Sequence, residues 1–327
     1  MLSIISASRR TDIPAFYADW FINRILAGYC LVSNPYNANQ TSHVSLRPDD
    51  VDAIVFWTRN PRPLFPFLRE LDSRGYHYFF HFTMLDNPRL LDPKSPSLSS
   101  AVTAFRELSR RLGPKRVFWR YDPIILSNMT DTQFHSDAFH KIANKLEGYT
   151  TKAVISLLTS YRHVSQRLRK LEKDGLQLLK GDVLDEQSEI LFRSIANIAE
   201  TSGMQADICS TGPSLSGLGL RPGKCIDDEY LQDTFGVRVS ARKDTGQRPE
   251  CRCVKSRDIG SYDTCVFGCA YCYAVRSFRL AKRNYAAHNP TAASLLSYDP
   301  TGPPIKTKEL PLLTRRGPTT ADHGDAR

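Results

Sequence analysis

Short runs of β-branched or aromatic residues alternate with helical patterns along most of this chain, and a chain of that rhythm folds around a mostly parallel sheet of βα units. The pattern predicts strands at Leu2–Ser6, Ala53–Trp57, His77–Phe82, Arg116–Tyr121, Lys152–Leu157, Gln205–Cys209 and Arg252–Ser256, with helices over 14–28, 63–74, 97–112, 132–147, 161–174 and 185–202. Asp131 stands where a helix N-cap belongs, and Gly75, Gly113, Gly148, Gly175 and Gly203 stand where helices stop. The expected fold is α/β, a complete or partial (β/α) barrel, with a doubly wound open sheet as the alternative that pattern leaves open. One barrel domain is expected over 1–285, with an inserted loop or hairpin at 29–50 and a cysteine segment at 251–285. Over 210–250 the rhythm is lost as Gly, Pro and charge rise. An extension follows from 286 to 327, and its Pro, Thr, Ser and charge content predicts disorder from about 300.

With 327 residues, 41% of them hydrophobic, the chain has ample material for a core, which excludes a disordered chain or a disulfide miniprotein. Its longest apolar runs, AIVFW at 53–57 and YFFHF at 78–82, fall far short of the roughly 20 residues a membrane helix needs, so no membrane partner is expected. The N-terminus meets Arg9, Arg10 and Asp12 too soon for a secretory signal, and the expected location is the cytoplasm, where thiols stay reduced. A formal charge of +10 permits an anionic partner, nucleic acid among them, although a solvated basic surface explains it equally; the stretch RHVSQRLRK at 162–170 fits that blander account.

In βα folds the reactive groups sit at the carboxyl ends of the strands. Ser6, Ser8, Arg9, Arg10 and Asp12 follow the first strand, and Thr58, Arg59 and Asn60 the second. His81 and Thr83 close the third, Arg120, Tyr121 and Asp122 the fourth, and Ser156 and Thr159 the fifth. Any one of these is more simply a cap or a salt-bridge partner. Together they line a common mouth with donors suited to an anionic group, and Arg59, His81, Arg120 and Asp122 are the candidate catalytic or substrate-binding residues. The other histidines add little: His135 and His140 are read on a polar helix, His43 and His163 are isolated, and His323 lies in the tail.

Five of the eight cysteines fall between 251 and 272, and the sharpest motif is TCVFGCAYCYA at 264–274. Its Cys265, Cys269 and Cys272 are spaced C-x3-C-x2-C, so three thiolates converge and can grip three corners of an iron–sulfur cubane, leaving one iron open to a chelating ligand. Structural zinc wants four closed ligands, and Cys251 or Cys253 is the nearest fourth. Cys209, Cys225, Cys251 and Cys253 are enough thiols for a second metal site, an auxiliary cluster or zinc, but their irregular spacing carries little signal. The competing account makes Cys209 a core residue and Cys251 or Cys253 a spare thiol. Cys30 reads as buried packing.

The C-x3-C-x2-C motif with Tyr271 before its last cysteine resembles the cluster motif of the radical S-adenosylmethionine superfamily. The resemblance implies a [4Fe-4S] cluster on Cys265, Cys269 and Cys272, S-adenosylmethionine on the open iron, Tyr271 near its adenine, a (β/α) barrel, and an electron donor such as flavodoxin or ferredoxin. Two departures stand out. The cysteine loop lies after six strands rather than after the first, so the barrel order looks circularly permuted. The sequence also has no Gly-Gly dipeptide to hold the methionyl group. In permuted order the stretch Ser6 to Asp12 takes that place, with Arg9 or Arg10 for the carboxylate and Asp12 for the amino group. SASRRTDIP at 6–14, FWTRNP at 56–61, WRYDP at 119–123, GKCID at 223–227 and CRCVKSRDIGSYDTC at 251–265 further resemble a bacterial family known as domain of unknown function 1848.

Two functions are therefore carried forward. One is a radical S-adenosylmethionine enzyme acting on an anionic molecule or nucleic acid, since 238–283 holds 11 Lys and Arg against 4 Asp and Glu. The other is a non-enzymatic module, stabilised by zinc or an iron–sulfur cluster, that binds an anionic partner.

Overall fold

The computed structural model describes residues 2–35, 37–179, 186–209 and 217–296, and the expected tail from about 300 lies outside them. A compact unit spans Met1–Ser297. Its strands are β1 (Ser3–Ala7), β2 (Tyr29–Asn34), β3 (Asn37–Ser45), β4 (Val51–Thr58), β5 (Tyr78–Thr83), β6 (Val117–Ile124), β7 (Lys152–Leu157), β8 (Gln205–Cys209), β9 (Arg221–Gly223) and β10 (Arg257–Asp258). Its helices are α1 (Ile13–Phe16), α2 (Ala18–Ala27), α3 (Leu68–Ser73), α4 (Leu98–Leu112), α5 (Thr132–Leu146), α6 (Arg162–Lys170), α7 (Glu186–Thr201), α8 (Asp228–Phe235) and α9 (Phe278–Ala286).

Eight strands make one sheet in the order β10-β1-β4-β5-β6-β7-β8-β9, and every pairing in it is parallel. The chain is thus α/β around a large parallel sheet. The last strand lies beside the first: Ile5 pairs with Arg257 on one flank of β1 and with Ile54 on the other. The insertion at 29–50 is an antiparallel hairpin of β2 and β3 followed by a short turn of 3-10 helix, Pro48–Asp50. Among the described residues no ladder joins β9 to β10, but the Val254 N–H donates to the Ile226 carbonyl at 3.1 Å between the segments that adjoin them.

Side chains alternate across each strand, and the two faces bury different partners. Ile5, Ile54, Phe80, Trp119 and Ile155 face one way, into a core filled by Phe21 of α2, Phe105 of α4, Phe139 of α5 and Phe192 of α7. Ile4, Val55, Phe79, Phe118 and Val154 face the other way and are covered by Cys225, Ile226 and Leu231 with Cys251 and Cys253. The helices named here share a single face. Asp131 caps α5 as expected, accepting the Phe134 N–H at 2.8 Å. All five helix-ending glycines take positive φ, from +70° to +89°, which a side chain penalises.

Several elements differ from the sequence expectation for local reasons. The helix expected over 14–28 breaks at Tyr17, whose buried hydroxyl donates to the Thr264 carbonyl at 2.7 Å. Over 62–67 the chain makes 3-10 rather than α-helix, since Pro66 inside the segment has no N–H for an i−4 carbonyl. The strand expected at Arg252–Ser256 is not formed there, because the Val254 amide bonds to the Ile226 carbonyl instead of to β1; pairing with β1 comes only in the two residues that follow, β10. The supposedly arrhythmic 210–250 contains β9 and α8, the latter capped by Asp227 on the Glu229 N–H at 3.1 Å; its 210–216 segment lies outside the described residues. The packed unit also runs past 285: Trp20 donates to the Ala292 carbonyl at 3.0 Å and Leu31 to Ala293 at 2.9 Å. No helix among the described residues is long and apolar enough to cross a membrane.

His135 is not on a polar surface: it is fully buried, with Nδ1 on the Tyr121 hydroxyl at 2.8 Å and Nε2 on the Ile125 carbonyl at 2.9 Å. Burial lowers its pKa from the usual histidine value. A lowered folded-state pKa means the unfolded chain binds the proton more readily. The stability contributed is therefore whole above about pH 6.5 and is lost as pH falls below it. Thermal melts at pH 7.5 and 5.0 should show the wild type losing up to about 2 kcal/mol more on acidification than His135→Gln, and equal losses would refute the assignment.

Candidate metal centre

The cysteine loop begins where β10 ends. Asp258 binds that end to the turn after β1. Its carboxylate accepts the Ser6 hydroxyl at 2.9 Å, the Ser8 hydroxyl at 2.6 Å, the Arg9 N–H at 2.7 Å and the Gly260 N–H at 2.9 Å, with Arg10 at 4.0 Å. Gly260 lies so close to this turn that a Cβ there would stand 2.1 Å from the Ser8 oxygen, so only glycine passes without displacing it. Buried Asp263, at φ +55°, then closes the loop on itself: its carboxylate accepts the Arg276 and Ser277 N–H groups at 2.5 and 3.0 Å, and its own N–H donates to the Ala274 carbonyl at 2.9 Å.

Between these ties lie Cys265 and Cys272, partly exposed, and Cys269, buried; none of the eight cysteines is in a disulfide. Gly268, at φ +79°, makes the turn that brings Cys269 back toward Cys265. Arg167 of α6 clamps the far side, with Nε on the Ala270 carbonyl at 2.9 Å and its other nitrogens on the Cys272 and Val275 carbonyls. The basic stretch 162–170 is therefore not simply a solvated face. The Ala270 N–H donates to the Leu91 carbonyl at 2.9 Å, and next to it buried Tyr271 donates to Asp92, 2.7 and 2.8 Å from its two oxygens. Arg59 donates to the same phenol oxygen and lies 3.5 Å from Asp92, while its backbone N–H reaches Asp12 at 2.7 Å.

Burial pushes all three thiols up; neighbouring thiols of the set raise Cys265 and Cys269 further, while the Arg59 charge pulls Cys269 and Cys272 back and the Ala274 and Val275 N–H groups also lower Cys272. Such thiols stay protonated unless a cation joins them, the usual linkage of metal binding to proton release. Among the described residues no three or more His, Cys, Asp or Glu side chains stand as a closed metal-ligand set. Burial also pushes Asp12 up to about 7, against the N–H bonds from Arg59 and Ala15 and a hydroxyl bond from Thr58.

The expected site residues divide into two neighbourhoods. Arg59, Asp12 and Tyr271 join Cys265, Cys269 and Cys272. Ser6, Arg9 and Arg10 gather at Asp258, and Tyr273 links them to the loop by donating to the Arg9 carbonyl at 2.7 Å. Arg120, Asp122 and His81 lie instead around Cys225. Arg120 donates Nη1 to its sulfur at 3.1 Å and pairs through Nη2 with Asp122, which also accepts the Ser156 hydroxyl. His81 bonds the Cys225 carbonyl through Nε2 at 2.7 Å and stacks on Trp57 at 4.3 Å. That bond makes Nε2 the donor and leaves Nδ1 a buried lone pair without a partner. Burial, reinforced by the Arg120 charge, holds His81 well below the ordinary histidine pKa, so it is neutral and no proton donor from a cationic form. Asp92, Arg167, Asp258 and Asp263 escape the sequence reading. The last two at least lie within the CRCVKSRDIGSYDTC stretch, whereas Asp92 and Arg167 sit in segments with no motif.

No curated protein matches the chain. A family model described as a domain of unknown function (DUF1848) matches residues 4–274, from β1 through all three cysteines of the loop. That match covers most of the chain, and the chain belongs to this family.

Proposed function

We propose that this chain is a radical S-adenosylmethionine enzyme whose Cys265, Cys269 and Cys272 hold a [4Fe-4S] cluster. The observation that carries the reading is the loop itself: three free thiols at C-x3-C-x2-C spacing, following a parallel strand, on a backbone clamped by Arg167 and by the Arg59–Asp92–Tyr271 network. When bound, such a cluster leaves one iron for the amino and carboxylate groups of S-adenosylmethionine and supplies the electron that cleaves it to methionine and a 5′-deoxyadenosyl radical.

The chain's own residues fit a supporting part. Tyr271 has its hydroxyl committed to Asp92, which leaves its ring for adenine. Of the two cations expected for a carboxylate, Arg10 keeps that part, whereas the Arg9 guanidinium stacks on Trp57 and acts on Cys253 and Cys225. Asp12 already accepts two backbone N–H groups, and a carboxylate retains capacity for an ammonium. Arg120 and Asp122 are bound to one another, which moves them from direct substrate contact to shaping the mouth. Exposed Arg252, Lys255 and Arg257 alternate with inward residues beside the loop and favour an anionic substrate, nucleic acid included. The reading also takes the sheet as a partial, circularly permuted barrel. The placing of β10 beside β1 and the helices shared by one face support it. A flavodoxin or ferredoxin in the cytoplasm is the matching electron donor.

The test is anaerobic iron–sulfur reconstitution, reduction in the presence of S-adenosylmethionine and assay for 5′-deoxyadenosine beside Cys269→Ala. The wild type should form the nucleoside and the variant only background. A cluster without cleavage, or zinc in its place, would overturn the proposal and leave the anion-binding module.

A further inference from the structure

The face of the sheet opposite the helices gathers the other cysteines. Cys209 ends β8, Cys225 follows β9, and Cys251 and Cys253 lie in the extended segment before β10; all four are buried. Residues i and i+2 of an extended chain share a face, so the C-x-C spacing turns both sulfurs inward while Arg252 points to solvent. The Cys225 and Cys209 sulfurs are 3.4 Å apart, and the Cys253 thiol lies close enough to act on those of Cys225 and Cys251, all of them packed in one cluster. The four thiols thus form one continuous chain drawn from three separate segments.

We propose that Cys209, Cys225, Cys251 and Cys253 together bind one tetrahedral divalent ion of the zinc class, at a site distinct from the Cys265 loop. Zinc–thiolate bonds of about 2.3 Å set the edge of the sulfur tetrahedron at about 3.8 Å, close to the spacing of Cys225 and Cys209. A cubane cluster holds its cysteine sulfurs wider apart than that. The ion displaces the thiol protons to solvent and draws the four sulfurs into a tetrahedron. Four thiolates around a dication carry two net negative charges, and a buried site of that charge needs cationic neighbours. Two are in place. Arg120 donates to the Cys225 sulfur at 3.1 Å, and the Arg9 charge acts on Cys253 and Cys225; both guanidiniums stack on Trp57, at 5.0 and 4.9 Å. Asp122 and Asp258 offset part of this charge from the outer side. The ion would tie together the segments after β8 and β9 and before β10, where among the described residues no ladder joins the sheet edges.

The site is separable from the proposed cluster by working in a chain with Cys265, Cys269 and Cys272 all replaced by alanine. That protein should purify with about one zinc per chain. After removal of zinc it should take up one cobalt(II), giving the intense visible and near-ultraviolet bands of a tetrahedral thiolate site. Adding Cys225→Ser should abolish both, and Cys251→Ser should weaken the bands. Zinc absent and cobalt bands missing in the triple variant would overturn the proposal without reference to any second variant's folding. Iron and sulfide retained by the triple variant would equally overturn it in favour of a cluster at these four residues.

Discussion

Asp92→Ala should lose about 3–5 kcal/mol of stability, because it leaves the Arg59 guanidinium and the Tyr271 hydroxyl largely buried without their shared acceptor. Two further bonds fail with it, from Asn87 to Asp92 at 3.0 Å and from Ser95 to Asp92 at 3.4 Å, while the Arg59 bond to the Ser95 hydroxyl at 3.0 Å remains. The consequence reaches the cysteine loop, since Tyr271 lies between Cys269 and Cys272 and Asp92 is its anchor. Urea unfolding of the purified protein measures the loss. Iron bound after reconstitution should fall in parallel, while Tyr271→Phe, which keeps the Arg59–Asp92 pair, should cost only about 1 kcal/mol. A loss below about 1 kcal/mol for Asp92→Ala would mean that Arg59 is satisfied by Ser95 and Tyr271 alone.

Asp258→Ala should cost about 3 kcal/mol by removing the acceptor common to the Ser6 and Ser8 hydroxyls and the Arg9 and Gly260 N–H groups. The two hydroxyls can rotate toward water, but the backbone N–H groups cannot, and the short β10 has few other bonds to hold it against β1. Asp258→Asn keeps one acceptor oxygen and should lose about half as much. Hydrogen exchange provides the discriminating readout. Faster exchange confined to β1, β10 and Gly260 is expected, whereas protection unchanged there with a lower melting temperature would place the damage elsewhere.

Both acids show how differently the parts of the chain could be read. The parallel βα rhythm, the strands at 152–157 and 205–209, the caps and the stopping glycines all follow from local chemistry, because hydrophobic period, N-cap side chains and left-handed glycines act within a few residues. The three-cysteine loop was legible for the same reason, its thiols lying within eight positions of one another. Asp92 and Arg167 were not, since a lone acid after a pair of leucines and one arginine among several carry no signal until folding brings them to Tyr271 and the Ala270 carbonyl. His135 was misplaced because its hydrogen-bond partners, Tyr121 and the Ile125 carbonyl, come from the preceding strand and the turn that follows it.

The sequence by itself determined the α/β class, the order of most elements and the spacing of Cys265, Cys269 and Cys272, each written in neighbours along the chain. Only the tertiary structure decided that β10 pairs beside β1, that Arg120 and His81 face Cys225 rather than the cysteine loop, and that Cys209, Cys225, Cys251 and Cys253 meet. Those outcomes depend on which strand lies beside which and which face each buries. Such long-range choices are settled by packing the whole sheet at once, and no short segment encodes them alone.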